Sequence, residues 1–138
     1  MKPLRSDRGA TAVEFALVIL PLALLLMGII DFGRAYSQQL ELSSAAREGV
    51  RVMAVQNNSA QAITRTHVQA PNAQVSVVVR DKLGALVGSC NTAGVALTRL
   101  PYMATVTATY PLESLTGFFS SLLDGRTLTE TGVMQCGG

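Results

Sequence analysis

The stretch RGATAVEFALVILPLALLLMGII, residues 8–30, decides how the rest of the chain is read. From Ala10 to Ile30 it carries one charged side chain, Glu14. As an α-helix this segment is about 32 Å long at ~1.5 Å per residue, close to the ~30 Å hydrocarbon core of a bilayer. Lys2, Arg5 and Arg8 precede it with only Asp7 opposing them, whereas charges of both signs are nearly balanced beyond residue 30. This positive-inside bias places the N-terminus in the cytoplasm and residues after 30 across the inner membrane. A cleaved secretory signal shares the basic-then-apolar pattern. It fits less well, because the run is longer than an h-region, contains an acid, and is followed by MGIIDFGRAYS without an A-x-A-like cleavage site. The segment reads as a membrane anchor, either uncleaved or trimmed at its N-terminus.

The pattern changes after Ile30. Phe32, Tyr36, Leu40, Leu42, Ala46, Val50 and Met53 recur near a 3.6-residue spacing, with Arg34, Gln38, Glu41, Glu48 and Arg51 elsewhere. No proline interrupts residues 31–55, and Gly33 and Gly49 each cost only about 1 kcal/mol relative to alanine. One helix is therefore expected from about Ala10 to Val55, ending at the QNNS turn signal, with Glu48 and Arg51 paired at i, i+3. Pro21 removes one backbone hydrogen bond and is expected to bend it.

The remaining residues, 57–138, have room for one small extracytoplasmic domain. AQAITRTHVQ (60–69) suggests a short helix closed by Pro71-Asn72. QVSVVVR (74–80), YMATVTATY (102–110) and TLTETGVMQ (127–135) are rich in Val and Thr and read as three strands. Residues 81–100 hold three glycines and read as a loop with room for a further short strand. ESLTGFFSSLLDG (113–125) has Leu115, Phe118, Phe119 and Leu122 at helical spacing and is expected to cap the sheet. The fold class is α+β: a long N-terminal helix, membrane-spanning in its first half and amphipathic in its second, packed on a small antiparallel sheet. Three strands need an apolar support, and the stripe from Phe32 to Met53 supplies one.

Charged residues make up 14% of the 138 residues and the net charge is +2, too little for a nucleic-acid footprint. Cys90 and Cys136 are the two cysteines. An oxidising compartment would join them, closing about 47 residues for about 4 kcal/mol of chain-entropy stabilisation. Two buried thiols, or a free Cys136, are the alternatives. Two cysteines without a second ligand cluster argue against zinc. His67 is the sole histidine and reads as a polar surface residue. No phosphate loop, metal-ligand pair or nucleophile motif occurs, so neither an enzyme nor a cofactor is expected. Asp31 and Arg34 fall at the membrane interface, where ordinary solvation accounts for them.

Glu14 needs more than that. An ionised carboxylate costs about 2.5–3.5 kcal/mol at the centre of a membrane helix and less near its end, so the residue is either an interfacial acid or has a partner. Here the residues resemble a known family. A short basic leader ending in Gly9, then Ala10-Thr11-Ala12-Val13-Glu14-Phe15, is similar to the prepilin-peptidase site of type IV pilins. In that class the peptidase cuts after the glycine, and the glutamate is the fifth residue of the mature chain. Glu-Phe after a nine-residue leader resembles the prepilins of the tight-adherence (Tad, Flp-type) pilus. DFGRAY (31–36) and SSAAREGVRVMA (43–54) resemble TadE-like minor pilins, and TATYPLESLTGFF (107–119) looks like their C-terminal half. The resemblance implies a pilin-like fold with a leader at 1–9, cleavage between Gly9 and Ala10, and Glu14 and Phe15 as assembly residues. It implies prepilin peptidase, other Tad subunits, the inner-membrane assembly machinery and membrane lipid as partners, and adhesion as the role. The Glu14 carboxylate would meet the new amine of a neighbouring Ala10 and fix subunit register. A single-pass anchored binding module that never polymerises is the alternative.

Overall fold

The computed structural model describes residues 8–91 and 101–137. Residues 1–7, where most of the expected leader falls with Lys2 and Arg5, and residues 92–100, within the stretch read as a loop, lie outside the described residues. The element order is α1 (Arg8–Gln56), α2 (Ser59–Gln69), β1 (Gln74–Arg80), β2 (Met103–Pro111), α3 (Ser120–Leu123) and β3 (Thr127–Gln135).

Helix α1 is continuous for 49 residues, with Pro21 inside it. It stops at Asn57, whose φ of 50° is tolerated by Asn better than by most side chains. Asn58 then caps α2, its side chain accepting from Gln61 N at 3.0 Å. The two asparagines of QNNS thus end one helix and start the next. Glu48 and Arg51 form the expected two-pronged pair at 3.0 and 3.1 Å.

The three strands form an antiparallel sheet in the order β1-β2-β3. Alternation sorts its faces. Ala104, Val106 and Ala108 of β2 are fully buried toward the helices, while Thr105, Thr107 and Thr109 between them are half-buried on the other face. Register places Val77 and Gly132 on either side of Val106. Residues 81–91 add a tight turn and one isolated bridge, Arg80 to Leu86, in place of a further strand.

Small residues set how closely α1 lies on this sheet. A Cβ on Gly132 would sit 2.5 Å from the Ala46 carbonyl oxygen and 3.0 Å from Val50 Cγ1. A Cβ on Gly49 would collide with Thr66 Oγ1 of α2 and come within 3.3 Å of Val106 Cγ1. Around these contacts Leu42, Ala45, Ala46, Val50 and Met53 are buried against the sheet and α2. At about 25 cal/mol per Å² of apolar surface, this burial is the main support of a sheet too small to stand alone.

The structure departs from the sequence pattern in two places. The buried stripe of α1 runs through Asp31, Ala35, Gln38, Leu42, Ala45, Gly49 and Met53, fully or partly covered, whereas Phe32, Tyr36 and Leu40 are exposed. The latter three are one or two residues out of step, about 100° or more around the helix. The sheet is therefore supported from Leu42 onward. Residues 113–125 likewise do not form a helix capping the sheet. Only Ser120–Leu123 are helical, and Leu115, Phe118 and Leu122 are exposed. Gly117, at φ 74°, breaks the helical path, and the backbone before it turns toward α1.

Candidate functional site

The first half of α1 stands clear of the domain. Every residue from Gly9 to Ala23 is exposed, including Val13, Phe15, Leu17 and Leu20 at 61–72%. A soluble protein could not leave so long an apolar surface uncovered. The helix is long and apolar enough to cross a membrane.

The sequence-derived site residues fall into two separate places. Gly9 and Ala10 occupy the first turn of α1, and Glu14 and Phe15 follow within about one further turn, all exposed. A side chain added at Gly9 would meet nothing within 4 Å. Glu14 makes no ion pair among the described residues. Cys90 and Cys136 lie at the other end of the domain, bonded at 2.06 Å with Cα atoms 5.3 Å apart. Around that bridge Cys90 N donates to Asn57 Oδ1 at 2.6 Å and Cys136 N to Tyr102 O at 2.8 Å. The bridge therefore ties the loop after β1 and the end of β3 to the end of α1. His67 lies exposed on α2, with Nε2 3.1 Å from Ala73 O. Among the described residues there is no group of three or more His, Cys, Asp or Glu placed to hold a metal.

Sequence reasoning missed Asp31. It is 3% exposed, and its carboxylate accepts four hydrogen bonds from one short loop. Oδ1 takes the backbone N–H of Leu115 and Thr116 at 3.0 and 3.1 Å. Oδ2 takes the hydroxyls of Ser114 and Thr116 at 2.8 and 2.7 Å. The Thr116 hydroxyl, most of all, holds the Asp31 carboxyl below the usual carboxylate range. Burial pushes the other way, and the Ser114 hydroxyl and the two backbone N–H groups add to the lowering. The loop is closed at its base by Leu112 N donating to Arg126 O at 2.8 Å and Ser114 N to Asp124 Oδ1 at 2.9 Å. Phe119 then lies against Phe32, ring centroids 6.0 Å apart. An acid directly after an apolar run, with a distant Ser-x-Thr, was the available signal. Nothing local in the sequence joins the two.

Because the folded-state pKa of Asp31 is lowered, its contribution is present above the ordinary aspartate value of about 3.8 and is lost as pH falls through the lowered one. The Thr116 amide resonance should titrate in that acid window. Asp31→Ala should bring Leu115 and Thr116 amide exchange close to unprotected rates at neutral pH while leaving β2 protected. Unchanged protection in the variant would remove the clamp.

Residues 9–51 match the family model described as TadE-like protein. The match starts at Gly9, runs through Glu14, Asp31 and Gly49, and stops short of the sheet and the disulfide. Over this stretch, which covers most of α1, the chain is similar to the TadE-like family, in agreement with the resemblance read from the sequence. No curated protein and no solved structure matches the chain.

Proposed function

We propose that this chain is a minor pilin or pseudopilin of a Tad-type pilus, cut between Gly9 and Ala10 and held in the inner membrane by residues 10–30 until it enters an assembly. The observation that carries this reading is the bare apolar half of α1 joined rigidly to a small folded domain. One helix surface can serve first as membrane anchor and then as packing surface in a polymer core. The TadE-like match over the same helix supports it. On this reading the protein is structural, not catalytic, and its partners are prepilin peptidase, other Tad subunits and the inner-membrane assembly machinery. The N-terminus is cytoplasmic, the domain extracytoplasmic, and the system serves surface adhesion.

Glu14 has a physical role in this scheme. Cleavage frees a positive amine at Ala10, and the exposed Glu14 carboxylate can meet the amine of a neighbouring subunit in a low-dielectric core. Glu14→Gln should leave cleavage and membrane insertion intact. Its recovery in sheared or detergent-extracted pilus complexes should fall by about tenfold or more, since leaving one charge of a desolvated pair unpartnered costs a few kcal/mol. Normal recovery at wild-type abundance would make Glu14 an interfacial acid and nothing more. A wild-type chain that never enters such complexes would favour the single-pass anchored binding module.

A further inference from the structure

We propose that the loop of residues 112–124, clamped to α1 by Asp31, is a second membrane-binding element that sets Leu115, Phe118 and Leu122 into the extracytoplasmic lipid interface beside the exit of α1. This rests on the reading of residues 10–30 as a membrane span.

The Phe119 ring lies over Gly28, where a Cβ would sit 3.6 Å from Cε2, and packs against Phe32 on the next turn. Gly28 is three residues, or about 4.5 Å along the axis, on the membrane side of Asp31. The loop thus reaches back past the end of the apolar run instead of rising away from it. Interfacial elements bury their apolar side by about 5–10 Å at the headgroup–acyl boundary, and contacts to Gly28, Asp31 and Phe32 hold this loop beside the end of the apolar run, next to that boundary.

The loop presents an apolar surface. Leu115, Phe118 and Leu122 are 61%, 55% and 47% exposed. Phe118 stands edge-on to Phe119 at 5.4 Å, so three rings run without a break from α1 to the loop. Residues 114–123 contain no charged side chain, and Glu113, Asp124 and Arg126 sit at the base.

Irregular chain is costly near hydrocarbon because its N–H groups lose water. Here the N–H groups of residues 114–118 are satisfied from within, Ser114 N by Asp124 Oδ1. Leu115 N and Thr116 N donate to Asp31, Gly117 N to Ser114 Oγ at 3.0 Å, and Phe118 N to Thr116 Oγ1 at 3.4 Å. The clamp also fixes the loop beforehand, so little conformational freedom is lost on contact with lipid.

The chain contains no tryptophan, so Phe118→Trp supplies a single fluorescent probe. The full chain is reconstituted in phosphatidylcholine vesicles with acyl chains brominated either near the headgroup or near the terminal methyl. Leu20→Trp, inside the span, and Leu83→Trp, 73% exposed in the turn after β1, are the references. Phe118→Trp should be blue-shifted relative to Leu83→Trp and quenched most by the shallow bromines, and Leu122→Trp should repeat this if the first variant folds poorly. Adding Asp31→Ala should red-shift the probe and weaken its quenching. Loop probes behaving like Leu83→Trp, while Leu20→Trp is quenched, overturn the loop contact and leave the span intact. Failure of Leu20→Trp to be quenched overturns the span reading and the loop proposal with it. Blue-shifted loop probes without quenching would assign the surface to a protein neighbour and overturn the lipid contact.

Discussion

Gly9→Val should leave the chain uncut while leaving its fold intact. The folded domain gives valine no reason to fail: a Cβ at this position meets nothing within 4 Å, and Val is a better helix former than Gly. Any loss must therefore arise in the encounter with another protein. A peptidase has to bring its catalytic groups against the Gly9–Ala10 carbonyl, and a residue without Cβ allows the closest backbone approach. A β-branched side chain at that point obstructs it, so the expected effect is near-complete loss of processing, not a modest slowing. Intact mass decides the matter: the wild-type chain should begin at Ala10 and the variant at Met1. A variant trimmed as efficiently as wild type would show that glycine is not read at this junction. A wild-type chain still carrying Met1 would defeat the prepilin reading altogether.

Gly132→Ala is expected to cost about 2 kcal/mol, within the range for overpacking a closed core, and to lower the melting temperature of the full chain in detergent by roughly 8 °C. The obstruction is backbone. An added Cβ would stand 2.5 Å from the Ala46 carbonyl oxygen and 2.8 Å from its carbon, so β3 and α1 must move apart. Rotating a side chain cannot relieve it. The same substitution at Gly33, an exposed helix position where a Cβ meets nothing within 4 Å, should instead stabilise by up to about 1 kcal/mol. Opposite signs for one chemical change would isolate the close approach of helix and sheet. Destabilisation of equal size at both sites would mean that contact does not limit the domain.

Much of the architecture was legible because it is written in local periodicity. The apolar run of 10–30, the continuous helix to Gln56, the turn at Asn57-Asn58 and strands within a residue of their observed ends follow from spacing and turn chemistry alone. Cys90 and Cys136 were the only pair of thiols to join, and they are joined. The errors occurred where pattern had to predict a neighbour. Phe32, Tyr36 and Leu40 carry helical spacing but are exposed, since periodicity gives the existence of an apolar stripe and not the azimuth at which a domain meets it. Leu115, Phe118 and Leu122 carry it too, yet Gly117 and the pull of Asp31 decide against a helix there.

The sequence by itself determined that a helix of membrane length leads into a small three-stranded α+β domain, because helix length, strand alternation and turn residues act over a few positions. Only the tertiary structure decided the work of Asp31, Gly49 and Gly132. Asp31 meets Thr116 across 85 residues, and each glycine is defined by the atom a Cβ would strike in another element. Such contacts depend on how elements stack, and that is fixed by the burial of the whole core.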